Sequence, residues 1–269
     1  MTSRRSGLSE PRRETGNAFR MGTVIRIGIE GRPDASMMIS ALITRDAEDE
    51  AIYALLTAHS RVQDYDGPLK CRLVRGPGQP RITLGTLVLP NEVLGEDSDK
   101  LGFHVLRLEA TPLFGDVRQH AKPLATVRNF RNGIWSAGTF RVRRLNDARA
   151  FTETATQWRN RGGGVYNRKG RVAGEMPNVE IEDLGKTLEF SYCGLVTRGR
   201  HRPLGDPRAH GAPLISESGA LSAIIVGAAD QDTLVYPVEE LRKGRSIEFV
   251  TLGDDWPKLK VAPKQRAVA

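Results

Sequence analysis

The chain has 269 residues, with 40 Lys plus Arg against 32 Asp plus Glu, a formal charge of +8 and 39% hydrophobic residues. That length supports a sizeable core in one large domain or two modest ones, and the only two cysteines, Cys71 and Cys193, exclude a dense secreted-type disulfide framework. No run approaches the ~20 apolar residues of a membrane span and no apolar stretch follows Arg4 and Arg5, so neither a membrane partner nor export by a signal peptide is expected.

Residues 1–22 carry Arg4, Arg5, Arg12, Arg13 and Arg20 among Ser, Glu, Pro and Gly, with almost nothing to bury, and are expected to form a flexible basic arm. From Thr23 the apolar runs are short and rich in β-branched residues: Thr23–Ile29, Met37–Thr44, Ile52–Leu56, Lys70–Val74, Ile82–Leu89 and Phe103–Leu108. A connection follows over residues 113–123. The pattern then resumes with Leu124–Phe130, Gly138–Arg143, Thr187–Tyr192, Ala212–Ser216, Leu221–Gly227 and Leu234–Pro237. Strands of this length, divided by Gly, Pro and Asp turns, indicate an all-β sandwich or barrel. Two sets of about six suggest two barrels, over residues 23–112 and 124–255. Only Leu145–Arg159 has the pattern of a helix, with Asn146 or Asp147 as its N-cap. The tail 256–269, with Lys258, Lys260, Lys264 and Arg266 around Pro257 and Pro263, is expected to be a second arm, an extended strap or a frayed end.

Within the second half, Arg159–Arg171 is the most basic patch, and Arg159, Arg161, Arg168, Lys169 and Arg171 are candidates for contact with a nucleic acid or another partner. The plainer reading is a mobile connection between strands, since no strand-to-helix context supports a phosphate cradle. The remaining positive charge is spread along the chain, which permits an acidic partner without demanding one. Trp135, Trp158 and Trp256 are scattered rather than interleaved with basic residues, so they do not form a stacking platform for single strands.

Several segments together resemble the trypsin-like serine proteases. Tyr53–Val62 (YALLTAHSRV) is similar to the strand and turn that end in the family's T-A-A-H signature, and Ser40–Asp46 (SALITRD) to the strand before it. Gly102–Leu108 (GFHVLRL) resembles the strand whose first residue is the triad aspartate. Arg208–Ile215 (RAHGAPLI) stands where the family has G-D-S-G-A-P-L-I, and Ser216–Leu241 looks like the closing strands of compact viral and bacterial members. The order and spacing of these segments, over Met37–Leu241, carry the resemblance. It implies two six-stranded antiparallel β-barrels of trypsin-like type with flexible N- and C-terminal arms.

In that family a serine oxygen attacks the peptide carbonyl, a histidine takes its proton, and a buried carboxylate orients the histidine. The resemblance puts His59 at the base position, Gly102 at the aspartate position and His210 at the serine position. A glycine offers no carboxylate and a histidine no hydroxyl. Arg208 replaces the glycine that opens the oxyanion turn, whose N–H groups need a backbone that a side chain restricts. The rival register puts Ser218 on the nucleophile, but leaves only five residues before the strand that begins at Ala223. Asp97 and Asp99 would restore a carboxylate if the strand shifted by three residues. His59 and His210 facing each other could hold Zn²⁺ only with a third ligand, and His104, His120 and His201 lack the spacing to supply it. No cofactor and no metal are expected.

The expectation is therefore an inactive member of this fold, serving as a structural or interaction subunit of an assembly with copies of itself or viral structural proteins. A virus or phage particle, or the cytoplasm, is the expected setting. The alternatives are a divergent serine protease using His59 with Ser218, and a nucleic-acid-binding protein acting through its Arg-rich segments.

Overall fold

A computed structural model describes residue 22 and residues 24–45, 51–74, 81–111, 115–116, 139–142, 168–197, 210–216, 221–230 and 232–249. The first half contributes six strands, β1 (Val24–Ile29), β2 (Ala35–Thr44), β3 (Ile52–Ala58), β4 (Leu69–Leu73), β5 (Ile82–Val88) and β6 (Phe103–Leu108). All pair antiparallel in the order β1-β4-β5-β6-β3-β2, and the β1–β2 pairing closes the ring. The second half contributes β9 (Thr139–Val142), β10 (Arg168–Asp183), β11 (Lys186–Thr197), β12 (Pro213–Ser216), β13 (Leu221–Ala229) and β14 (Asp232–Pro237), in a closed barrel of order β10-β11-β14-β13-β12-β9. Each ring thus runs first, fourth, fifth, sixth, third, second strand of its own set. This repeated order is the double-barrel architecture expected from the sequence. Between the rings, β7 (Ala110–Thr111) and β8 (Gly115–Asp116) form a short hairpin.

Burial explains why these segments are strands. In β4, Cys71 and Leu73 are buried while Lys70 and Arg72 are exposed, the two-residue alternation of a sheet with one wet face. The central strands β2 and β3 are buried on nearly every residue, because their ends also pack against the second barrel. Met38 of β2 belongs to an apolar cluster with Val196, Leu214, Ile225 and Val235, so the barrels share packed side chains rather than a linker alone. Cys71 and Cys193 are both buried free thiols, and burial pushes them up to about 11 and about 12.

Three findings depart from the sequence expectation. The long strand β10 begins at Arg168, so the end of the basic segment is paired strand rather than a loop: Arg168, Lys169 and Arg171 pair with Val142, Arg141 and Thr139 of β9. Gly174, Pro177 and Asn178 are breakers by type, yet β10 tolerates them because, among the described residues, it pairs beyond Arg171 with β11 alone, so its other edge carries no ladder there for a proline to interrupt. Helices also form where none was expected, at α1 (Pro90–Leu94), a 3-10 turn (Ser98–Leu101) and α2 (Val238–Arg242), each too short for periodicity to reveal. Finally, β15 (Glu248–Phe249) returns to the first barrel and pairs with Thr44 and Ile43 of β2. The expected strand Leu124–Phe130, the helix Leu145–Arg159, the N-terminal arm up to Met21 and the tail 256–269 lie outside the described residues.

Candidate functional site

The ends of β3 and β6 and the start of β12 bring together the three positions that the resemblance singles out. Thr57 pairs with Phe103, so Gly102, one residue before Phe103, lies beside the Ala58–His59 end of β3. His59 leaves the strand with its N–H donating to Ser36 O at 2.7 Å, while the Ser36 N–H donates to the Ser60 hydroxyl at 2.9 Å. These two bonds clip the corner to the start of β2. His59 Nε2 then lies 2.7 Å from the main-chain carbonyl oxygen of His210, 151 residues away in sequence. A carbonyl only accepts, so Nε2 carries the proton and donates it.

His210 has its own partner, with Nδ1 3.2 Å from Asp183 Oδ2 at the tip of the β10–β11 hairpin. That tip is a two-residue turn in which Leu184 (φ 50°) and Gly185 (φ 83°) are both left-handed, as such hairpins require. The two histidines are engaged separately, the His59 ring on a carbonyl and the His210 ring on a carboxylate. Among the described residues there is no group of three His, Cys, Asp or Glu that could hold a metal ion.

The chain after His210 is fixed from both barrels. The Gly211 N–H donates to Ile225 O at 2.7 Å, and Ala212 O accepts from the Ile225 N–H at 2.9 Å. Gly211 has φ +83°, and a Cβ there would lie 2.5 Å from Thr57 Cβ. Only glycine fits between the barrels at that point. Behind it, the hydroxyls of Ser40 and Thr57 hydrogen-bond each other at 2.8 Å in a buried pair.

Gly102 ends the 3-10 turn in a left-handed conformation, its N–H donating to Asp99 O at 3.3 Å. A Cβ at this position would lie 2.7 Å from Leu188 Cδ2 of β11. Leucine thus fills the space into which any side chain at 102, a carboxylate included, would project. The two nearby aspartates turn outward: the Asp97 side chain is 80% exposed with its carboxylate 3.8 Å from Lys100 Nζ, and Asp99 is exposed with its N–H on Asn91 Oδ1. No strand shift brings either inward, because β6 starts at Phe103 in register with β3 and β5.

A cavity of about 190 Å³ opens beside this region between Val62, Leu89, Phe103 and the hairpin residues Leu184 and Leu188. His104 lines it, its Nδ1 3.3 Å from the Tyr65 hydroxyl and its ring stacked on Tyr65 at 5.9 Å between centroids. Burial, with the nearby Lys186 ammonium adding to it, pushes His104 down to about 4. Lys186 in turn pairs with Asp64, whose carboxylate that ammonium holds below the usual range. Sequence reasoning left His104 aside for want of motif spacing, and its partners Tyr65 and Lys186 come from separate elements, so no local signal marked the cluster.

Other candidates are placed less fully. Ser218, Arg208, Arg159, Arg161, His120 and His201 lie outside the described residues. Arg168, Lys169 and Arg171 sit on the β9-paired end of β10. Among the described residues no helix is long and apolar enough to cross a membrane.

No protein-family model and no curated protein matches the chain. Among solved structures, the MamO protease domain from Magnetospirillum magneticum in its apo form aligns with 14% identity and a TM-score of 0.39, covering 81% of this chain and 93% of that one. The architecture rests on the strand order and register described above.

Proposed function

We propose that this chain is a non-catalytic protein of trypsin-like fold that works as a structural or interaction subunit of a larger assembly. The observation that carries the non-catalytic reading is the hydrogen bond from His59 Nε2 to His210 O. A general base must offer an unprotonated nitrogen to the nucleophile's hydroxyl. Here that nitrogen is a donor, spent on main chain. The residue at the nucleophile position has no hydroxyl, and Leu188 fills the room that a carboxylate at 102 would need.

The assembly role is supported by composition. The arm 1–22 and the tail 256–269 are basic and poor in groups to bury, so they suit segments that gain order on a partner's surface. Arg outnumbers Lys, and its planar fork suits ion-paired contacts between subunits. Partners are copies of the chain or other structural proteins, with a virus or phage particle as the setting suggested by likeness to compact viral strand patterns. Fold alone does not settle such a role.

Light scattering tests it. The full chain is compared with one lacking residues 1–22 over a range of concentrations. A mass that rises with concentration only in the full chain supports the arm as an assembly device. Monomers in both cases, also after mixing with candidate structural proteins, would remove the assembly reading.

A further inference from the structure

We infer that the outer face of the β1–β4 pair is a binding site for the phosphate backbone of a nucleic acid. The register sets Gly28 of β1 opposite Arg72 of β4. Lys70 and Arg72, two residues apart on one strand, emerge on the same side of the sheet, while Cys71 and Leu73 point into the barrel. Opposite Arg72, Gly28 contributes no side chain, and with Gly31 it floors a cavity of about 440 Å³ walled by Arg32, Lys70, Arg72 and Arg81. The Arg81 guanidinium arches over the floor: a Cβ on Gly28 would lie 2.9 Å from its Nη1. Glycine therefore keeps the depression open and lets a guanidinium form its lip.

Charge in this depression is not cancelled internally. Asp34 is shared by Arg26 at 3.3 Å and Arg81 at 3.5 Å, so one carboxylate serves two guanidinium groups. Arg32 donates to Asp64 O at 2.7 Å, a neutral acceptor that leaves its charge in place. Lys70 and Arg72 are exposed and make no ion pair among the described residues. Glu30, across the strands from Lys70, is the one carboxylate among the described residues that line the cavity.

The lining favours phosphate over an acidic protein. A protein interface has an apolar or aromatic anchor at its centre, and the centre here is glycine backbone ringed by cations, with Ile29 buried beneath. Phosphate oxygens are held by Arg and Lys side chains, which this depression supplies. Among the described residues no aromatic ring lines it to stack on a base, so recognition falls on the backbone and is indifferent to sequence.

The test is fluorescence anisotropy of the full chain with a labelled single strand of about 20 nucleotides, and with the corresponding duplex, over a series of salt concentrations. The double variant Lys70→Gln/Arg72→Gln should lose at least about tenfold in affinity at low salt, with the slope of log K on log salt falling by roughly 1.5 to 2, as expected when two phosphate contacts go. Lys169→Gln/Arg171→Gln, on β10, should bind as the parent does. If the first variant unfolds early, Lys70→Arg/Arg72→Lys must fold and keep the parent's affinity. The inference is overturned by a parent that does not bind at low salt, by parental affinity in the first variant, or by an equal or larger loss in the second. Polyglutamate displacing the probe as well as unlabelled oligonucleotide does would assign the site to an acidic protein instead.

Discussion

The Nε2–H of His59 is bonded to the main-chain oxygen of His210 at 2.7 Å. The bond joins the end of a first-barrel strand to the entrance of a second-barrel strand, and Gly211, immediately after it, is pressed against Thr57 from the opposite barrel. This region is thus a point of attachment between the barrels. Substitutions here should act on stability.

Gly211 and Gly31 make a controlled pair. Both have positive φ, but a Cβ on Gly211 would strike Thr57 while one on Gly31 would meet nothing within 4 Å. Gly31→Ala should cost about 1 kcal/mol, the conformational term alone. Gly211→Ala should cost about 3 kcal/mol or more, because the barrels must separate to admit the methyl. Urea unfolding of the two variants checks the difference, and equal costs would show that the contact with Thr57 is not tight.

Restoring a carboxylate at 102 should not restore a site. Gly102→Asp is expected to destabilise by about 1–2 kcal/mol through the left-handed backbone and the shift it forces on the end of the Leu188 side chain. Adding Leu188→Ala to it should cost less than the two single changes together, since each relieves the other's defect. Strict additivity in a double-mutant cycle would contradict the packing described.

His104 gives the pH dependence its sign. Its folded value of about 4 lies below the ordinary histidine value of about 6.5, so the unfolded chain binds the extra proton first. The stability that follows from keeping the ring neutral is complete above about pH 6.5 and is lost as the pH falls toward 4, on the order of 3 kcal/mol in all. Denaturant midpoints between pH 7 and 4.5 should fall less steeply in His104→Gln than in the parent. Parallel curves would show that the ring is already hydrated.

Much of this fold is legible in the sequence because its strands are local apolar runs. YALLTAH ends a buried strand and places His59 at its exit, and HGAPLI places Gly211 and the next strand. The same runs order both barrels. What was not legible depends on contacts distant in sequence. Nothing in GFHVLRL indicates that Leu188 covers Gly102, and nothing near His210 announces Asp183. The breakers in β10 concealed a strand because their tolerance depends on a missing neighbour, and Glu248–Phe249 is too short to register before β2 supplies its partner.

The most direct test of the central claim is exposure of the folded full-length chain to a fluorescent serine-directed phosphonate, beside a His59→Ala variant. The account predicts no adduct on either protein, because a proton on His59 Nε2, donated to a carbonyl, leaves that nitrogen no lone pair to offer a hydroxyl. An adduct on the parent, mapped to Ser218 or another serine and absent from His59→Ala, would contradict it and establish a working nucleophile.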